Sequence, residues 1–84
     1  MRIMPPAVTE SEVRKQLTEL NRRREEMRKM QDRNQQLWYF DTECQPLISW
    51  FRERDILLNI RKGQKYYLTE ATMTRLGFGH RRMD

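Results

Sequence analysis

Eighty-four residues, 37% of them apolar and 35% charged, allow one small domain whose core is thin for its length. A formal net charge of +5 suits an anionic partner such as nucleic acid, but it speaks to solubility and non-specific attraction, not to a fold. One cysteine excludes an intrachain disulfide, and no run nears the roughly 20 apolar residues of a membrane span. The N-terminus also lacks the apolar core of a signal peptide, so a cytoplasmic protein that avoids membranes is expected.

Apolar residues and charge are unevenly spread. Residues 1–36 hold ten apolar side chains, whereas the next twenty-four hold thirteen. The net charge is +3 over 1–36, −2 over 37–60 and +4 over 61–84. The core is therefore expected from 37 onward, with a cationic end behind it.

Residues 1–8 read as an extended lead-in containing Pro5-Pro6. A long charged helix is predicted over 9–36, with Thr9 as N-cap, Glu12 completing a capping box, and Val8 and Val13 as a hydrophobic staple. Such a helix would span about 42 Å and overhang a domain with a radius of gyration of about 12 Å. Val13, Leu17, Leu20, Arg24, Met27, Gln31, Asn34 and Trp38 follow heptad spacing, and the first five form a candidate self-association or partner face. That stripe serves either intrachain packing or a coiled-coil contact between chains. Glu10–Arg14, Glu19–Arg23 and Glu25–Lys29 are spaced for i,i+4 ion pairs. Arg22-Arg23-Arg24 ring the helix and do not form one flat phosphate-binding patch.

A small hydrophobic-core unit is expected over 37–78. Leu37-Trp38-Tyr39-Phe40 opens it, and a break is predicted within 41–46, with Asp41 or Thr42 as a new N-cap ahead of Pro46. Leu47, Ile48, Trp50 and Phe51 mark a second amphipathic helix, and the expected core is Trp38, Phe40, Leu47, Trp50, Phe51, Leu58 and Leu68. Cys44 reads as a small buried hydrophobe. Residues 56–69 fit either a continued helix or two strands, 56–60 and 65–69, joined by Arg61-Lys62-Gly63-Gln64; the strand reading is the better supported. Thr69 caps a last helix that Gly77 stops, and a basic tail follows over 79–84. The fold class is thus mainly α, a long N-terminal helix packed on a small helix–hairpin–helix unit.

Tyr67-Leu68-Thr69-Glu70, the basic turn Arg61-Lys62-Gly63-Gln64-Lys65 and the helix before them give residues 47–77 a sequence that resembles the wing half of winged-helix regulators of the MarR and PadR kind. The resemblance implies a partial winged-helix-like unit, with helix 47–54 in the recognition position and Arg61, Lys62 and Lys65 against DNA phosphates. Thr72 stands where the family has a glycine, and the long helix stands where the family has two short ones.

The sequence shows no catalytic constellation. His80 is alone, Asp41 and Glu43 lack a positioned third group, Ser11 and Ser49 have no nearby base, and neither paired cysteines nor a Gly-rich phosphate loop is present. No enzyme activity, cofactor or metal is expected. Two functions remain: a protein-binding adaptor or inhibitor of the size seen in regulatory or phage–host contests, or a DNA-binding accessory protein. The first would use the long helix and the C-terminal unit, as a homodimer or on another protein. The second would use Arg61, Lys62, Lys65, Arg81 and Arg82 on double-stranded DNA.

Overall fold

Helix α1 (Glu10–Arg28) starts as its first residues dictate. In the computed structural model, which describes residues 8–60 and 65–78, the Glu12 N–H donates to Thr9 Oγ1 at 3.0 Å and the Thr9 N–H donates to Glu12 Oε1 at 3.1 Å. This is the predicted capping box. The lead-in over 1–7 lies outside the described residues.

The helix ends at Arg28, well short of residue 36. After Lys29 the chain turns without Gly or Pro, and Asp32 restarts it by accepting the Asn34 N–H at 2.9 Å. Gln36 Nε2 donates to the Met30 carbonyl at 2.6 Å and clips the turn. The turn lets Tyr39, Phe40 and Leu47 pack back onto the apolar stripe of α1, which a straight helix would carry away.

Helix α2 (Arg33–Tyr39) then runs without interruption through a π-helical segment, Phe40–Cys44, into α3 (Gln45–Glu53). The break expected within 41–46 is absent, and neither Asp41 nor Thr42 acts as a cap. Pro46 explains the wider turn. In a regular α-helix its ring would meet the carbonyl four residues back, and its missing N–H would leave that carbonyl unbonded. The π turn shifts the pattern just ahead of the proline, with the Gln45 N–H bonded to the Phe40 carbonyl five residues back.

Helix α3 stops at a residue that is not glycine. Asp55 has φ 58°, its N–H donates to the Arg52 carbonyl at 3.0 Å, and the Ile56 N–H donates to the Phe51 carbonyl at 2.9 Å. That is a Schellman motif, sealed by the buried pair Phe51 and Ile56.

The strand reading of 56–69 holds, in shorter form. Strands β1 (Asn59–Ile60) and β2 (Tyr66–Tyr67) pair antiparallel, Asn59 opposite Tyr67 and Ile60 opposite Tyr66. Helix α4 (Glu70–Leu76) is capped by Thr69 and ended by Gly77 at φ 84°, as expected. The turn 61–64 and the tail 79–84 lie outside the described residues.

The core is Val13, Leu17, Leu20, Cys44, Phe51, Ile56, Leu68 and Met73. Of the expected core, Phe51 and Leu68 are buried, while Phe40, Leu47, Trp50 and Leu58 pack half-buried around it. Trp38 is not in the core: it is 64% exposed. Nor does α1 overhang with its apolar stripe uncovered: Val13, Leu17 and Leu20 are buried within one chain. The described residues are mainly α with one two-stranded antiparallel sheet.

Candidate functional site

Helix α2 contains no buried residue, which sets it apart from α1, α3 and α4. Gln36, Tyr39 and Phe40 turn towards the rest of the molecule, and at 100° per residue this leaves Asn34, Leu37, Trp38 and Asp41 on the opposite face. Leu37 is 53% exposed and Trp38 64% exposed, an adjacent leucine and tryptophan in water. Arg33 and Asp41, also exposed, lie four residues to either side of Leu37 and have no ionic partner among the described residues. Scattered exposed apolar residues are ordinary, but an exposed tryptophan beside a leucine is the composition of a contact surface. Four successive apolar residues cannot share one helix face, so part of Leu37–Phe40 must lie off the core, but nothing in the run itself singles out Leu37 and Trp38.

The candidate partner face on α1 is used inside the chain. Val13, Leu17 and Leu20 are core, Met27 is half-buried, and the Arg24 guanidinium stacks over the Tyr66 ring at 5.9 Å. Of the three consecutive arginines, two share an acidic partner and the third lies over an aromatic ring. Arg22 and Arg23 both reach Glu19, with Arg23 Nε at 2.7 Å, and Arg23 Nη1 also lies 3.3 Å from Glu43 Oε1. The hydrogen bond from Arg22, and then that from Arg23, hold the Glu19 carboxyl down at about 2. Glu10–Arg14 pairs as expected, but Glu25 and Glu26 pair with Arg28 and Lys29 at i,i+3 in place of Glu25–Lys29. Most of the positive charge on α1 is thus neutralised locally.

Of the candidate DNA contacts, Lys65 is exposed beside β2, whereas Arg61, Lys62, Arg81 and Arg82 lie outside the described residues. On α3, Arg52 and Glu53 face solvent, and Arg54 folds over Trp50, its guanidinium 4.2 Å from the ring centre. Cys44 is fully buried as expected, and burial pushes its thiol pKa up, away from nucleophilic reactivity. A groove of about 300 Å³ runs between α3 and the following chain, walled by Ile48, Arg52 and residues 55–58, with Leu57 exposed at its rim.

Among the described residues no group of three or more His, Cys, Asp or Glu is placed to hold a metal. No described helix is long and apolar enough to cross a membrane. No protein-family model, no curated protein and no solved structure matches the chain. The assignment of function therefore rests on the surface itself.

Proposed function

We propose that this chain is a non-enzymatic protein-binding adaptor or inhibitor whose docking element is α2. The observation that carries the reading is the exposure of Leu37 and Trp38 on a helix with no buried residue. Tryptophan is the side chain most enriched among those that dominate binding energy, and here it stands ready at no cost in unfolding. The stripe Val13, Leu17 and Leu20 contributes indirectly, by anchoring the scaffold beneath. A reducing, cytoplasmic setting suits the single buried thiol of Cys44.

The test is affinity capture with the parent chain and with Leu37→Asp/Trp38→Asp, followed by direct binding to the purified partner. Loss of at least about tenfold in affinity in the double variant, about 1.4 kcal/mol, is expected. Equal capture by both chains would defeat the reading.

The second reading, a DNA-binding accessory protein with a winged-helix-like half, is favoured by the antiparallel pairing of β1 with β2 and by exposed Lys65. Under it, replacing Arg61, Lys62 and Lys65 with Gln flattens the slope of log K against log salt by about two to three units on duplex DNA. Protein capture through α2 would then be unnecessary.

A further inference from the structure

We propose that the occupant of the α2 face is a second copy of this chain, packed antiparallel about a two-fold axis beside Leu37 and Trp38. The proposal rests on the reading of α2 as a docking face and names its partner. The charge pattern carries it. Arg33 and Asp41 are exposed, oppositely charged, lacking ionic partners among the described residues, and equally spaced from Leu37, about 6 Å along the axis on either side. A two-fold axis across the helix at Leu37 reverses its direction, so Arg33 of each copy comes level with Asp41 of the other. The same operation sets Leu37 against Leu37 and Trp38 beside Trp38 of the second copy. An isologous contact must be self-complementary in this way, apolar at the axis and charge-swapped at its ends. A parallel pairing would instead set Arg33 against Arg33 and Asp41 against Asp41.

Leu37 and Trp38 alone fall short of the roughly 800 Å² per partner of a standard stable interface. The dimer is therefore weak and concentration-dependent.

The experiment is sedimentation equilibrium of the full chain from micromolar to about 1 mM, a range that covers weak association. It compares the parent with Arg33→Glu, Asp41→Arg and the double reversal, with circular dichroism verifying the fold of each. The parent should dimerise, each single reversal should weaken the dimer at least about tenfold, and the double reversal should restore it to within about threefold of the parent. Leu37→Cys gives a second readout. With Cys44 buried, oxidation should join two copies through position 37 alone. A parent that stays monomeric throughout, or a double reversal no better than the singles, overturns the proposal. If such a monomer still captures another protein in a Trp38-dependent manner, the protein-binding reading stands without it. If capture is also independent of Trp38, both fall.

Discussion

The side-chain amide of Asn21 on α1 holds both backbone polar groups of Tyr66 on β2. Asn21 Nδ2 donates to the Tyr66 carbonyl at 3.0 Å, and the Tyr66 N–H donates to Asn21 Oδ1 at 2.7 Å. In an antiparallel ladder a residue's N–H and C=O point to the same side, so Asn21 fills the edge of β2 that β1 leaves open at Tyr66. A helix side chain thus stands in for a third strand and docks the hairpin on α1. Asn21→Ala should cost about 1–3 kcal/mol, since two half-buried backbone groups lose their partner, as read by urea unfolding. Amide exchange at Tyr66 should quicken in the same variant.

Asp55 tests the helix stop. A non-glycine residue at φ 58° carries a penalty that glycine does not, and the Schellman bonds at Asp55 and Ile56 are made by the backbone. The Asp55 carbonyl also accepts from Arg75, a bond that glycine retains. Asp55→Gly should therefore stabilise the fold by about 0.5–1 kcal/mol, in spite of the entropy glycine adds to the unfolded chain. A loss of stability on thermal melting would assign the Asp55 side chain a role that its position does not reveal.

The aromatic residues divide sharply. Phe51, buried and meeting Trp50 edge-on with ring centres 5.0 Å apart, should cost about 3–5 kcal/mol when truncated to Ala. Trp38→Ala should change stability by less than about 0.5 kcal/mol, as a surface substitution does. Comparable losses at the two positions would mean that Trp38 is covered in solution.

Glu19 sets an acid limit. Its carboxyl is held at about 2 against an ordinary 4.5, chiefly by the hydrogen bond from Arg22 and then by that from Arg23. A group whose folded pKa is depressed contributes stability that is complete above the unfolded value and lost as pH falls towards the folded one. Stability should therefore decline between about pH 4.5 and 2. With the Glu19 side chain 33% exposed, solvent screening limits the contribution to about 1 kcal/mol. Denaturant melts at pH 6 and pH 2.5 should differ less for Glu19→Gln than for the parent.

What the sequence disclosed follows from the range of each interaction. Thr9, Thr69 and Gly77 act on neighbours within one turn, so their caps were legible, as were the β-favouring residues Tyr66-Tyr67-Leu68-Thr69 around β2. The turn after Lys29 was not legible, because Asp32 is one charge in a run of charges and nothing local marks it as a cap. Its cause is tertiary: the stripe of α1 requires the aromatic segment to return over it. Pro46 announced a disturbance, but a π turn and a helix break satisfy it equally well in sequence terms. The exposure of Trp38 and the early end of α1 share one cause. The direction of α2 depends on a turn that only the packing explains. Asn21 had no local signature at all, since its partner lies forty-five residues away.

The central claim, that this protein meets its partner through α2, is tested most directly by photo-crosslinking. A benzophenone amino acid placed at Trp38 is compared with the same group at Lys15, an exposed position on α1. The account predicts a protein adduct from position 38 and none from position 15, with the α2 self-pairing giving twice the 10.4 kDa of one chain. Adducts from position 15 alone, or none from position 38 at concentrations where binding is measured, would contradict it.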